Sequence, residues 1–283
     1  MSQDQSDNLT LKRLSSADCQ RWDSYVNSAR GGTFFHLSGW QEVLEGCLGH
    51  RTYYFFVERN NEIVGILPLA RVKSWLFGDA LISLPFLVYG GVVAEDDAVS
   101  RVLLEAAAEL ARELNVDYLE LRNRVPMTDW PAKTSYVTFR KEISADSEKN
   151  LLAIPRKQRA VVRKAIKSGL TAEHDTEVRN LHAILGECKR NLGTPFFSRK
   201  YLEAVKSAFG DACEILSVKH EGTVLSSVMS FRFRNEILPY YGGGGASARR
   251  FGANDFMYWK VMEHACESGI EIFDFGRSQE GTG

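Results

Sequence analysis

The stretch "YYGGGGASARRFGANDFMYW", Tyr240 to Trp259, puts four consecutive glycines, two arginines and a further glycine ahead of a helix start. The preceding "FRFRNEILPYYGG" reads as a strand running into the glycines. Helix N-termini bind anionic phosphates because their first amides are unpaired and the helix dipole is positive there. In that reading Gly252 and Ala253 admit a pyrophosphate to the backbone and Arg249 and Arg250 neutralise it, with the helix beginning at Asn254 or Asp255. Asp255 opposes it, since an acid in the first turn suits capping better than phosphate binding. A plain strand-to-helix loop with solvent-facing arginines is the other reading.

A second constellation is cationic. "IPRKQRAVVRKAIKSGL" (Ile154–Leu170) holds Arg156, Lys157, Arg159, Arg163, Lys164 and Lys167 and no acid. Pro155 suits a helix start and Gly169 a helix end. Arg156, Arg159, Arg163 and Lys167 then share one face, and Val162, Ala165 and Ile166 form the buried stripe. A solvated basic face is the bland account. Six uncompensated cations in a chain of net charge -1 also fit a phosphate-bearing ligand or an RNA end, with Arg156, Lys157 and Arg159 at the helix start as the contacts. The third constellation is "FDFGRS" (Phe273–Ser278), a carboxylate at a strand's C-terminal end, where open α/β sheets place ligands. Asp274 either holds an acceptor amine and takes its proton, with Arg277 on an acceptor phosphate or carboxylate, or pairs with Arg277 to close a turn. The six histidines have no metal-ligand spacing, and no metal site is expected. "GGGG" is not followed by G-K-[ST], and no G-x-S-x-G elbow accompanies a plausible triad.

The elements that position these residues occur twice. "GTFFHLSGWQEVLEGCLG" (Gly32–Gly49) aligns without a gap on "GTPFFSRKYLEAVKSAFG" (Gly193–Gly210), an offset of 161 positions. At that offset "VERNNEIVG" (Val57–Gly65) meets "VKHEGTVLS" (Val218–Ser226), each a strand, a polar turn and a second strand. "YGG" recurs at Tyr89–Gly91 and Tyr241–Gly243, followed in both cases by a helix-period stretch and a short strand ending in arginine. The chain therefore reads as an internal duplication of an α/β unit, residues 1–145 and 146–283. Each unit combines a hairpin with a strand–helix–strand crossover, so each sheet is mixed.

Composition fits this. The 283 residues are 44% hydrophobic and 25% charged, as in a soluble globular protein, so any polyanion binding must come from a local patch. Five scattered cysteines without a C-x-x-C pair indicate a reducing compartment. The polar start and the absence of an apolar run of about 18 residues indicate a cytoplasmic protein with no membrane span.

The order hairpin, strand, R-x-x-G loop, helix, strand resembles the core of the GNAT acyltransferase fold, with Arg249 and Gly252 supplying the spacing and Asn254 standing where that family has Gly or Ala. The tandem arrangement with a basic helix opening the second half resembles the FemAB/FemX family, and more closely the FemAB-like, BioF2-like group associated with bacterial exopolysaccharide gene clusters. The matching segments are Gly65–Gly91, "PRKQRAVVRKAIKSGL", "LGTPFFSRKYL", "GANDFMYWKVMEHA" and "FDFGRS". The resemblance implies two tandem GNAT-like domains and an N-acyltransferase in exopolysaccharide or cell-envelope synthesis, using acyl-CoA or aminoacyl-tRNA. It implies a small-molecule amino-sugar or peptide acceptor, tRNA as a further partner, and no metal. Arg249, Arg250, Gly252, Ala253 and Asn254 would hold the cofactor. Tyr89 in "SLPFLVYGG" would border the acceptor groove, with Tyr240, Tyr241 and Ser278 also on the substrate; the plain account of Tyr89 is a buried tyrosine before a turn. A degenerate acyltransferase fold that binds a glycan or nucleotide-sugar without catalysis is the alternative function.

One expectation concerns the end of the chain. "YVTFRKE" (Tyr136–Glu142) reads as a last strand of the first half. Its second copy would fall near position 291, so the second domain is expected to lack its last strand and to leave "EIFDFGR" with an unpaired edge.

Overall fold

The computed structural model describes residues 8–76 and 78–279; the polar first residues and the final "EGTG" lie outside the described residues. The chain forms two compact units, Met1–Ala132 and Lys133–Gly283. In the first, β1 (Thr10–Arg13), α1 (Cys19–Ser28) and α2 (Gly39–Glu42) precede β2 (Thr52–Arg59), β3 (Glu62–Ser74), β4 (Gly78–Ile82), β5 (Val93–Ala94), α3 (Asp97–Glu113) and β6 (Tyr118–Glu120). The second opens with β7 (Tyr136–Glu142), α4 (Ser147–Ala153), α5 (Arg156–Lys167), β8 (Thr171–His174), α6 (Arg179–Asn191) and α7 (Arg199–Phe209). It continues with β9 (Cys213–His220), β10 (Thr223–Phe233), β11 (Glu236–Gly244), α8 (Ala248–Phe251), α9 (Ala253–Glu267) and β12 (Ile272–Gln279).

The sheets repeat one plan. In the first unit the order is β1-β2-β3-β4-β6, with β5 also on β3; in the second it is β7-β12-β11-β10-β9-β8. The hairpins β2–β3 and β9–β10 coincide at the offset read from sequence. Both turns have two residues at positive φ, Asn60 (52°) and Asn61 (67°) in one, Glu221 (48°) and Gly222 (79°) in the other. Such turns match the right-handed twist of the flanking strands. The crossover β4–α3–β6 gives a parallel pair, and so does β11–α9–β12. Both sheets are therefore mixed, as expected.

Apolar spacing explains how the helices seat. Val99, Leu103, Ala107 and Leu110 form one buried stripe of α3 against Tyr53, Phe55, Leu67 and Leu69 of the first sheet. In the second unit α9 buries Phe256, Met257, Trp259, Val261, Met262, Ala265 and Cys266, which occupy most of its circumference. It packs on the sheet and is covered by α4 and α5. Among the described residues no helix is long and apolar enough to cross a membrane.

Several expectations are corrected. Strand β7 does not close the first sheet: it pairs antiparallel with β12, from Ile272↔Glu142 to Gln279↔Tyr136. The edge of "EIFDFGR" is thus paired, and β7 belongs to the same compact unit as β12, the one that begins at Lys133. An alternating strand shows in sequence, but the sheet that takes it depends on where an edge is open. "YGG" is not one structural position, because Tyr241–Gly243 lies inside β11 whereas Tyr89–Gly91 lies in the loop after β4. Ile166 is 48% exposed, and the buried residues of α5 are Val162 and Ala165.

Candidate active site

Strands β11 and β12 pair for only two residues, Glu236↔Ile272 and Ile237↔Phe273. Beyond them β11 stays on β10 and β12 stays on β7. A wedge therefore opens at the C-terminal ends of two parallel strands, where α/β sheets bind ligands. Bulges accompany the parting on both sides. In β11, Met229 faces Tyr241 and Ser230 faces Pro239, so Tyr240 is the extra residue. In β12 the register shifts between Asp274 and Arg277. Bulges bend the strand that carries them and re-aim its side chains.

Asp274 sits where the strands part and is 2% exposed. Its Oδ1 accepts from the Gly276 N–H at 2.7 Å, which fixes a turn with Gly276 at φ 75°. Its Oδ2 lies 3.5 Å from Nε of Arg140 on β7, and Arg140 also pairs with Glu236. Arg277 lies elsewhere, its guanidinium 4.0 Å from the centroid of the Tyr136 ring. Arg140 is thus a cation beside Asp274, and among the described residues the ion pair expected between Asp274 and Arg277 is not formed. Removing the carboxylate leaves a buried amide and a guanidinium short of an acceptor, so Asp274→Ala is expected to lower stability by about 1–3 kcal/mol. Asp274→Asn keeps an acceptor for Gly276 and should lose less than half of that in urea unfolding. Equal losses in the two variants would refute the turn as the reason for this residue.

At the same end of the sheet, β11 runs through the glycines to α8, which carries Arg249 and Arg250. The expected loop is thus a helical turn, and the main helix starts at Ala253 rather than at Asn254 or Asp255. Gly252 makes the junction at φ 68°, in the left-handed region. No side-chain hydrogen bond caps α9 among the described residues. A Cβ on Gly252 would stand 2.4 Å from Cγ1 of Val161 on α5, so the glycine lets two helices meet. Helical spacing places Lys157 and Lys164 beside Val161, one turn to either side. Ala253 is buried and Asn254 is exposed. The Asn254 side chain lies over Gly244, where a Cβ would come within 2.5 Å of Oδ1. The Ala246 N–H donates to Glu187 of α6 at 2.6 Å.

The segment 156–281 matches the family model described as Acetyltransferase (GNAT) domain. The second unit carries a GNAT domain. The chain is also similar to solved structures over nearly its whole length. FemX is 15% identical, with a TM-score of 0.71 over 97% of this chain and 90% of that one. A tandem GNAT protein from the clavulanic acid biosynthesis pathway is 13% identical, with a TM-score of 0.57 over 98% and 91%. L-PGS from Bacillus licheniformis is 14% identical, with a TM-score of 0.56 over 93% and 79%. At these identities the likeness is one of fold, and it makes the chain a tandem of GNAT-like units. No curated protein matches it. The matched domain supports acyl transfer by the second unit, and the likeness to the tandem GNAT protein is one of fold.

Within the GNAT domain an aromatic group lines the splayed part of β11. The Tyr241 hydroxyl lies 2.8 Å from that of Tyr201 on α7, and Phe197 stacks on Tyr201 at 4.1 Å. Tyr240 packs edge-on against Tyr241 at 4.7 Å. Burial, and then the Tyr201 hydroxyl beside it, push the Tyr241 phenol well above its ordinary value, so it stays a neutral donor. The outer face of α5 forms a shallow groove of about 550 Å³ lined by Arg156, Arg159, Arg163, Lys164 and Lys167. Lys157 is not in its lining. Ser278 is half-buried on β12.

The first unit's crossover differs at the matching point. Its helix α3 is capped by Asp96, whose carboxylate accepts from the Val99 N–H, and Asp97 follows. Two acids at that N-terminus oppose a phosphate. The loop 83–91 after β4 has Leu84, Phe86 and Tyr89 at positive φ, a clustering of strained backbone found at ligand sites. Tyr89 is half-buried, with the Arg124 guanidinium 5.3 Å from its ring centroid. Gly90 and Gly91 are closed in by Leu84 and Asn123 rather than open to a ligand. Sequence reasoning missed Arg140, Glu187, Tyr201 and Arg124. Only Tyr201 left a signal, through its place opposite Trp40 in the repeat.

Proposed function

We propose that the chain is a cytoplasmic N-acyltransferase that takes an acyl group from acyl-CoA to an amino group of a sugar or peptide used in exopolysaccharide or cell-envelope synthesis. One observation carries the reading: β11 and β12 part at the end of the sheet where α9 begins without a side-chain cap, with Arg249 and Arg250 of α8 just before it and Val161 of α5, flanked at helical spacing by Lys157 and Lys164, against Gly252. The donor's phosphates meet the first amides of α9 and these cations, with Gly252, Ala253 and Asn254 as the backbone under them. The acyl arm enters the wedge. The acceptor amine attacks the thioester carbonyl, a tetrahedral oxyanion forms, and its collapse breaks the C–S bond; the departing sulfur takes up the proton the amine gives up, so the products are the amide and the free CoA thiol. Holding the two reactants in place supplies much of the rate. Tyr241, neutral and carried on the splayed strand, donates to the developing negative charge. Asp274 acts by positioning, since it shapes the bulge of β12 through Gly276 and Arg140. Tyr240, Arg277 and Ser278 contact the acceptor.

The basic groove of α5 favours a second donor, aminoacyl-tRNA, whose phosphates Arg156 and Arg159 would hold. A thiol-release assay with acetyl-CoA and amino-sugar acceptors separates the two. Release that depends on both reagents supports the first reading; acyl transfer from charged tRNA alone supports the second. No transfer from either donor, with a nucleotide-sugar still bound, would leave a non-catalytic module.

Lys157→Glu and Lys164→Glu are each expected to weaken acetyl-CoA binding about tenfold in dilute buffer. The loss should shrink as salt is added, because screening shortens the reach of exposed charges. Affinity unchanged at low salt would remove these lysines from the donor site.

A further inference from the structure

We propose that His174, Glu214 and His264 bind a divalent transition-metal ion, zinc in the first place, at the end of α9 opposite the donor site. The three come from different elements: His174 ends β8, Glu214 is near the start of β9, and His264 is in the last turn of α9. Among the described residues they form one group in which a nitrogen of each imidazole and a carboxylate oxygen all lie within 4.8 Å of one another. The two imidazole centroids are 4.3 Å apart, and Nε2 of His264 is 3.6 Å from Oε2 of Glu214. Sequence spacing could not show this, because the fold, and not a local motif, brings the ligands together.

The donor set selects the ion. Two imidazoles and one carboxylate suit zinc, whereas calcium and magnesium need oxygen ligands throughout. A tetrahedral zinc with bonds of about 2.0–2.1 Å holds its ligand atoms roughly 3.3–3.4 Å apart. Ligand atoms that lie within 4.8 Å of one another would have to draw in by up to about 1.5 Å around the ion. The carboxylate is already oriented: Oε1 of Glu214 accepts from Nη1 of Arg232 at 2.8 Å, which turns Oε2 toward His264. Such outer partners fix ligand geometry in metal sites. Three protein ligands leave a fourth position for water. Because β8 is the outer strand of its sheet, the ion would pin that edge and the C-terminal end of α9 to β9. It would act as a clamp, away from the wedge.

The test is calorimetric titration of the full chain, first stripped with chelator, with zinc chloride, followed by the absorption spectrum with cobalt. One ion per chain, four-coordinate cobalt bands and a zinc-dependent rise in Tm are expected. His174→Ala and His264→Ala should each weaken zinc binding by more than the roughly 10- to 100-fold that loss of an outer partner costs, and remove the rise in Tm. His182→Ala, outside the group, should change neither. His174 is exposed on the outer strand, so its variant is expected to keep the wild-type circular dichroism. Zinc affinity unchanged in both ligand substitutions, or no binding to the folded wild-type chain, would overturn the proposal.

Discussion

Gly252→Ala is expected to destabilise the second unit by about 2–5 kcal/mol and to weaken acetyl-CoA binding with it. Two separate costs add. An alanine at φ 68° pays the steric penalty of the left-handed region, about 1–2 kcal/mol. Its Cβ also stands 2.4 Å from Cγ1 of Val161, and a β-branched side chain inside a helix has little freedom to turn away. Forcing α5 and α9 apart costs about 1–3 kcal/mol more. A double-mutant cycle separates the two costs. Val161→Ala opens the space but leaves φ unchanged, so Gly252→Ala should be milder by about 1–3 kcal/mol in that background. Donor affinity should recover in part, because Lys157 and Lys164 return to the start of α9. Additive losses in urea unfolding would mean that the helices do not meet through this glycine.

That contact also shows what the sequence could and could not reveal. The two-residue turns Asn60–Asn61 and Glu221–Gly222 were legible because hairpin register is local: a polar pair between alternating segments fixes both strands. The helix α3 was legible from the spacing of Val99, Leu103, Ala107 and Leu110. The partner of β7 was not, since alternation marks a strand without naming the edge it joins. The site divides in the same way. Arg249, Gly252 and the basic α5 could be read from types and spacing, but the contact between Gly252 and Val161 spans separate elements. Asp274 was placed at a strand end, yet Arg140, from a strand assigned to the other half, holds it. The group His174, Glu214 and His264 left no trace in spacing at all.

Below neutral pH the first unit is expected to lose about 3 kcal/mol of stability through one residue, His36. His36 is 2% exposed, and its Nδ1 accepts from the Thr33 N–H at 3.2 Å. That bond puts the ring proton on Nε2, which donates to the Gly91 carbonyl at 3.0 Å. A second proton would have to enter at Nδ1, against the Thr33 amide and away from water. Burial first, with Arg124 adding to it against the Gly91 carbonyl, lowers the imidazole pKa to about 4. In the unfolded chain a histidine titrates near 6.5. Between about pH 6.5 and 4 the unfolded chain therefore takes up a proton that the folded one refuses. Stability is full above that window and falls as pH drops through it. The bond His36 makes to Gly91 holds the loop that carries Tyr89, so acid should loosen that loop before it unfolds the GNAT domain. Hydrogen exchange followed by mass spectrometry reads the two units separately. Peptides from β2 and β3 should lose protection between pH 6.5 and 4.5, after correction for intrinsic exchange, more steeply than peptides from β9 and β10. In His36→Gln the first-unit peptides should be less protected at pH 7 and should lack that acid step. A step of the same size in wild type and His36→Gln would show that another group, and not His36, carries the acid sensitivity.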